Sequence, residues 1–434
     1  MDSATRSRGN RRTMRKTKLQ ICKTKFLIND KLTYSEYPDC PEAYRGLLMN
    51  ARFIQGVFDD KADVSRFERF GRHFDPEENT DSLIDALPAW YAHGLRAITV
   101  GFQGGGPCFT MSDLQSIDNN PFSEDGMHID GRYLERMNRI IEAADELGMI
   151  VIVSCFYGHQ VRFLKDDIAV MEAVKSVANW LKEQEYTNVI LEIANEHNIE
   201  PYKVHPILYD EKGIVQLMHI ARRESAGIPV GCSSTDSYFP EEIAKESDVI
   251  LIHGNNMPRQ AFYNYIKRAR KIQPERPIVC NEDSQALGNM WVALNEGISW
   301  GYYNNMTKQE PPVDWQITEG EDRFYAMRLR ESLGIGSNTL KPEEQFYLQG
   351  LKADETCDGK RWIRLASMYP ETIKKVVFKR NGVYFTTAYD DPFTVNYIVN
   401  WMQGPVEGVE AGENWSAEVH LADGSVIVKE TTAG

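Results

Sequence analysis

Glu196 and Glu282 share one setting: each follows an asparagine at the end of a short apolar run, in EIANEH (192–197) and in IVCNED (278–283). Two carboxylates brought to one bond can divide the work of breaking it. One carboxyl protonates the leaving oxygen, and the other attacks the carbon or activates a water. Other polar and aromatic residues also stand at the ends of apolar runs. Gln103 follows RAITVGF, Tyr157 and His159 follow MIVIVSCF, His253 and Asn255 follow SDVILI, and Trp300 and Tyr302 lie in ISWGYY. His253 and His159 read as substrate contacts or as histidines satisfied within the fold. Trp300 reads as a platform for a ligand or as a core residue. Asp59 and Asp60 close the first run, where capping of the next segment is the simpler role.

The runs themselves set the spacing. From residue 46 to 333 they alternate with amphipathic stretches, the rhythm of βα units around a parallel sheet. The pattern predicts strands at 47–58, 96–102, 149–156, 188–195, 228–232, 247–255, 276–282 and 298–303. It predicts helices at 80–94, 130–148, 168–184, 211–225, 262–273 and 288–297, and a last one at 320–334. Eight short, apolar strands of this kind fit an α/β fold, the (β/α)8 TIM barrel. Glu196 then ends strand four and Glu282 strand seven. They lie 86 residues apart, and the three units between them run to roughly 29 residues each, against a standard βα unit of about 30. Barrels of this class carry their chemistry at the C-terminal ends of the strands. The two carboxylates are therefore expected to face each other across the barrel mouth. Ahead of the barrel, KFLINDKLTY (25–34) reads as a hairpin that closes the bottom.

On EIANEH, IVCNED and ISWGYY, residues 46–333 resemble the clan of retaining (β/α)8-barrel glycoside hydrolases that includes the cellulase-like family 5. The resemblance implies cleavage of a β-glycosidic bond in an oligo- or polysaccharide. It implies Glu196 as acid/base, Glu282 as nucleophile, Asn195 as partner of the sugar 2-hydroxyl and Trp300 as floor of the subsite for the reacting sugar. Ionised Glu282 would attack the anomeric carbon. Protonated Glu196 would release the leaving group and then act as base on water. Repulsion between the two is expected to raise one pKa and keep the acid, Glu196, protonated. Tyr157, His159, Gln103, His253, Asn255 and Tyr302 become candidate sugar contacts. The chain departs from the clan at two points. Strand six ends in His253-Gly254-Asn255, where the clan often has a tyrosine against the nucleophile, and strand two offers no counterpart of the clan's arginine. A non-catalytic carbohydrate-binding barrel is the alternative reading.

Towards the C-terminus the pattern changes. Two hairpin signals, Asn381-Gly382 and Asp423-Gly424, sit within β-rich runs. On VVFKRNG and TTAYDDPF this part resembles the bacterial Ig-like modules appended to polysaccharide-active enzymes. The expected organisation is a disordered basic tail (1–18), the barrel (19–334), a linker (335–352) and an Ig-like β-sandwich (353–434).

Composition narrows the function classes. A net charge of −14 argues against nucleic acid as partner. No apolar run reaches the ~18 residues that a membrane span needs. The glycines of GFQGGGP (101–107) lack GxGxxG spacing and no helix follows them, so they predict a tight loop beside a cleft, not a nucleotide site. Seven cysteines without a CxxC pair and nine scattered histidines predict free thiols and no metal or other cofactor. The composition does not set an oligomeric state. Localisation is pulled two ways: no signal segment is visible and free cysteines fit a reducing compartment, whereas relatives with Ig-like modules are usually exported.

Overall fold

The computed structural model describes residues 15–235 and 238–434. Eight short strands run parallel: β1 (Asn50–Arg52), β2 (Ala97–Gly101), β3 (Ile150–Phe156), β4 (Val189–Ala194), β5 (Val230–Gly231), β6 (Ile250–His253), β7 (Ile278–Glu282) and β8 (Gly301–Tyr302). They form a six-stranded sheet, β8-β1-β2-β3-β4-β5, and a two-stranded sheet, β7-β6. The last strand thus pairs with the first. Single contacts join the two sheets. Asp248 N–H donates to Val230 O at 3.0 Å, and an isolated parallel bridge pairs Val279 with Ser299. The first strand is shorter than its apolar run, because the chain beyond Phe53 leaves the ladder in turns.

Helices lie between the strands, and their ends follow local chemistry. Asp75, Asp130 and Asp166 accept from free N–H groups at the starts of helices Pro76–Ala92, Gly131–Leu147 and Asp167–Glu183. Gly148 closes the second in the left-handed region, at φ 84°, where a side chain would be strained. Helices Glu211–Glu224, Arg259–Ile272 and Leu287–Asn295 follow, and Glu321–Ser332 comes after β8.

Alternation along each strand decides which side chains enter the middle. Leu48, Ala97, Ile150, Ile152, Ile190, Val249, Leu251 and Val279 pack on one another and on Phe26. Their neighbours in sequence, Met49, Ala51, Ile98, Val151, Leu191, Ile250 and Cys280, join the core beneath the helices. Phe26 belongs to a small antiparallel sheet of Leu19–Cys22, Lys25–Ile28 and Lys31–Leu32. That sheet covers the N-terminal ends of the parallel strands, as the hairpin reading expects. Its turn uses Asn29 and Asp30, both at positive φ (52° and 65°). Residues 15–18, assigned by composition to a disordered tail, are tied down here. Thr17 N–H donates to Asp145 Oδ1 at 2.8 Å, and the Arg15 guanidinium lies 4.2 Å from the Tyr186 ring centre. Residues 1–14 of that tail lie outside the described residues.

From residue 346 the chain is β-rich. Phe346–Gln349, Arg364–Ser367 and Phe393–Thr394 make one antiparallel sheet. Strands β9 (Ile373–Arg380), β10 (Val383–Ala388), β11 (Asn414–Leu421) and β12 (Val426–Thr432) make another, in the order β10-β9-β11-β12. Val376, Phe378, Trp415 and Val419 of the second meet Phe346, Leu348 and Leu365 of the first in a separate small core. The β9–β10 hairpin turns at Asn381-Gly382, with φ of 51° and 76°. The stretch 335–352 is not a free linker, since Phe346–Gln349 is already a sheet strand. Ala366 and Met368 join the main core, and Arg328 of the last helix binds Glu371 at 2.6 Å across the same seam. Among the described residues no helix is long and apolar enough to cross a membrane, and all seven cysteines are free.

Candidate active site

Side chains from β1, β4, β6 and β7 converge at the C-terminal ends of the strands. Arg52 Nε lies 2.7 Å from Glu282 Oε2, and Arg52 Nη2 donates to Asn195 Oδ1 at 2.6 Å. His253 Nδ1 lies 3.0 Å from Glu196 Oε1 and 3.6 Å from Glu282 Oε2. Asn255 Nδ2 donates to Glu282 Oε1 at 3.0 Å and reaches Glu196 Oε1 at 3.5 Å. One imidazole and one carboxamide therefore bridge the two carboxylates. An oxygen of each carboxylate and a nitrogen of His253 lie within 4.8 Å of one another.

The backbone aims these groups in different ways. Glu196 takes a left-handed conformation, φ 53°, that non-glycine residues seldom adopt. Ser233 holds the turn: its Oγ accepts the Glu196 N–H at 3.1 Å, and its carbonyl accepts the His197 N–H at 3.1 Å. Arg52 and His253 follow the interior alternations Leu48-Asn50-Arg52 and Val249-Leu251-His253. Glu282 would by strict alternation follow Cys280 outward. A register shift between Cys280 and Glu282 instead sets Glu282 opposite His253.

Burial and charge then set the proton positions. The side chains of Arg52 and His253 are 1% and 0% exposed, whereas those of Glu196 and Glu282 keep 14% and 10%. Burial pushes the Glu282 pKa up, offset in part by Arg52 and His253, and the charge of Glu196 adds to the rise. Burial acts on Glu196 in the same sense, but the hydrogen bond and charge of His253 outweigh it and hold that carboxyl below its ordinary range. Burial would lower His253, yet the charge of Glu282 and the contact with Glu196 raise it. The repulsion argument placed the upward shift on Glu196. It falls on Glu282, because the imidazole sits closer to Glu196.

Polar atoms without partners surround the pair. Among the described residues, buried Arg52 Nη1, His253 Nε2, Asn255 Oδ1 and Tyr303 Oη make no hydrogen bond. Buried polar groups are nearly always paired, so this concentration marks a place suited to a polar ligand.

The predicted site residues divide. Asn195, His253 and Asn255 join the carboxylates. Tyr157 lies close enough for the charges of Glu282 and Glu196 to act on its hydroxyl, which burial raises first. Its hydroxyl sits under the glycine loop, 2.7 Å from where a Cβ on Gly105 would be. Gln103 is buried and serves Tyr157: its Oε1 accepts the Tyr157 N–H at 2.9 Å, and its Nε2 donates to Asn120 at 2.8 Å. His159 pairs with Gln115 at 2.8 Å. Trp300 and Tyr302 face outward and are fully buried. Trp300 Nε1 donates to Asp283 Oδ2 at 2.8 Å, and Tyr302 stacks on Tyr325 with ring centres 4.3 Å apart. Trp300 is therefore a core residue and not the floor of a subsite. Asp60 accepts the N–H groups of Ala62 and Asp118, in keeping with the capping role. The glycine loop is tight as expected, tied down where Glu310 accepts the N–H of Phe109 at 2.7 Å.

Two residues escaped the sequence reading. Arg52 is a lone charge inside the first apolar run, and Tyr303 is one position past Tyr302. The Tyr303 ring centre lies 5.7 Å from the Arg52 guanidinium. Strand alternation was the available signal for both.

Glu196, His253 and Glu282 are also the one grouping among the described residues whose donor atoms could meet on a metal ion. The buried Arg52 guanidinium, 2.7 Å from Glu282, opposes a cation there. The set suits proton transfer and nucleophilic attack better than metal binding.

No family model matches the chain, and no curated protein matches it. Solved structures do resemble it. A candidate glycoside hydrolase from Bacteroides vulgatus ATCC 8482 aligns with a TM-score of 0.50 at 11% identity, over 90% of this chain and 83% of its own. A Parabacteroides merdae β-glucuronidase aligns at 0.42 and 12% identity, over 96% of this chain and 50% of its own. An endo-β-1,4-mannanase from Thermotoga petrophila aligns at 0.44 and 12% identity, over 89% and 97%. This chain thus spans about half the length of the β-glucuronidase. At 11% identity the likeness to the Bacteroides vulgatus protein is one of fold.

Proposed function

We propose that the chain is a retaining glycoside hydrolase acting on β-linked oligo- or polysaccharides, built on a (β/α)8 barrel of the cellulase-like clan followed by an Ig-like β-sandwich. The observation that carries this reading is the bridged pair Glu196 and Glu282, with donor atoms within 4.8 Å at the open ends of parallel strands. Retaining pairs stand roughly 5–5.5 Å apart and inverting pairs roughly 6.5–9.5 Å. Nearest oxygens within 4.8 Å are in keeping with the shorter of these spacings and so with the two-step route.

In that route Glu282, ion-paired with Arg52, attacks the anomeric carbon. The glycosidic C–O bond breaks as Glu196 gives its proton to the departing oxygen. This leaves a glycosyl ester on Glu282 and an ionised Glu196. Water then gives a proton to Glu196, and its oxygen displaces Glu282. Water is added across the bond and the configuration is retained. Glu196 must begin protonated, whereas His253 favours its ionised form in the free protein. The 3.0 Å contact supplies the path: the Nδ1 proton of the imidazolium passes to Glu196 Oε1 and leaves a neutral imidazole. A bound sugar that excludes water favours this neutral pair over the charged one. Arg52 engages Asn195 Oδ1, which leaves the Asn195 Nδ2 donor for the sugar 2-hydroxyl.

Aryl β-glycosides and polysaccharides test the reading, with the first-formed anomer followed by NMR. Wild type should yield the β anomer first. Glu282→Ala should lose roughly 10⁴-fold or more in kcat with every leaving group and stay folded. Glu196→Ala should still react with activated aryl glycosides, and added azide should give the β-glycosyl azide. Full activity in Glu282→Ala, or an inverted product, would sink the assignment. Glycan binding without turnover on any substrate would favour the non-catalytic carbohydrate-binding barrel.

A further inference from the structure

We infer that the cleft between helix Leu287–Asn295 and the β-rich region is a second glycan-binding site, separate from the carboxylate pair. The ligand class rests on the glycoside hydrolase reading above. The cleft encloses about 940 Å³, at the upper end of the roughly 300–1,000 Å³ common for ligand sites. Trp291 and Tyr263 line it from the barrel helices, and Tyr389 and Tyr397 from the β-rich region. They are 45%, 37%, 67% and 44% exposed. Among the described residues six tyrosines and tryptophans are this exposed, and four of them stand on this one cleft. Such concentration is not expected of scattered surface aromatics.

The type of aromatic points to the ligand. Tyrosine and tryptophan offer a flat apolar face with a polar tip, which matches the C–H face and hydroxyl edge of a sugar ring. The remaining wall includes Arg259, Gln260, Asn295, Glu296 and Asp390. These are donors and acceptors suited to neighbouring hydroxyls.

Position supports a shared substrate. Met257 lines the cleft two residues after Asn255, which bridges the catalytic carboxylates. Asn289 also lines it and donates to Asp283, next to Glu282, at 3.1 Å. Asn400 of the β-rich region braces the intervening loop, with its Nδ2 3.3 Å from Gly254 O and 3.2 Å from Met257 O. Met257 and Asn289 thus link the cleft wall to the residues around the pair. The β-rich region thereby takes part in holding the glycan whose bond the pair breaks.

Calorimetry on Glu282→Ala protein tests this, using hexasaccharides of β-1,4-linked mannose, glucose, xylose and galactose. At least one should bind at two sites per chain. Adding Trp291→Ala and Tyr389→Ala should weaken one of the two at least ten-fold. Amide exchange in the Glu282→Ala protein should slow in 287–295 and 389–397 on addition of that hexasaccharide. This second readout decides even if the triple variant folds poorly. A single site, two sites unaffected by the aromatic changes, protection absent from those segments, or no binding at all would overturn the inference. Wild-type turnover is scored separately. Cleft binding without turnover would remove the hydrolase reading and leave the site. Turnover with an unchanged triple variant would do the reverse.

Discussion

Glu321 and Asp322 are buried more deeply than Glu196 and Glu282, and each pair has its cations. Asp322 is 0% exposed and accepts from Lys308 at 2.7 Å, Tyr302 Oη at 2.8 Å, Asn304 Nδ2 at 3.0 Å and Thr318 Oγ1 at 2.7 Å. Burial alone would raise its pKa, but the charge and hydrogen bond of Lys308 prevail and lower it. Glu321 is 4% exposed and binds Arg364 of the β-rich region at 2.5 Å, with Gln349 at 3.1 Å. This pair ties β8, the last helix and the β-rich region together. At the strand ends, by contrast, two carboxylates share one carboxamide and one imidazole, and both keep an exposed edge. Unpaired polar atoms gather there on four side chains, Arg52, His253, Asn255 and Tyr303, whereas at the other pair Glu321 Oε1 and Arg364 Nε are unpaired. Buried acid and nearby cation are thus common to a clamp and to a candidate site. Access, and a larger gathering of unpaired donors and acceptors, separate them.

The comparison fails if the two pairs respond alike. The largest contrast is expected between Glu282→Ala and Asp322→Asn. The first should lose roughly 10⁴-fold or more in kcat per folded molecule, and because it leaves buried Arg52 without its nearest counter-ion its melting temperature should fall as well. The second leaves Lys308 buried without its counter-ion, which should cost about 3–5 kcal/mol of stability by denaturant unfolding. Its kcat per folded molecule should stay close to wild type. An inactive but fully stable Asp322→Asn protein would erase the distinction.

A smaller contrast lies within β8 and its end. Trp300→Phe removes the donor to buried Asp283 and should cost about 1–3 kcal/mol, read as a lower melting temperature with KM unchanged. Tyr303→Ala should raise KM instead. A KM rise in Trp300→Phe equal to that of Tyr303→Ala would restore Trp300 as a sugar platform.

The smallest effects concern pH. In the proposed route Glu282 attacks as the carboxylate, so activity should be lost as pH falls through its pKa. Arg52 holds that pKa down against burial. Arg52→Leu should therefore move the acid limb of kcat/KM to higher pH. In the proposed route the His253 imidazolium supplies the Glu196 proton, so activity is lost as pH rises through the pKa of His253, which, against burial, Glu282 and Glu196 raise. His253→Asn leaves Glu196 without that proton source and should move the basic limb downward. A basic limb that stays put in His253→Asn would separate His253 from the proton path.

The sequence by itself determined the rhythm of strands and helices, the hairpins at Asn29-Asp30 and Asn381-Gly382, and the setting of Glu196 and Glu282 at the ends of β4 and β7. These follow from apolar periodicity, caps and turn residues, which act over a few positions of chain. The tertiary structure alone decided that Arg52 holds Asn195, 143 residues away, and that His253 outweighs burial in holding the Glu196 carboxyl below its ordinary range. It alone turned Trp300 and Tyr302 into the core, and made Phe346–Gln349 a strand where a linker was expected. Strand ends carry no periodicity of their own. The facing of Glu282 depends on a register shift against β6, and the charge it bears depends on neighbours that only folding brings within reach.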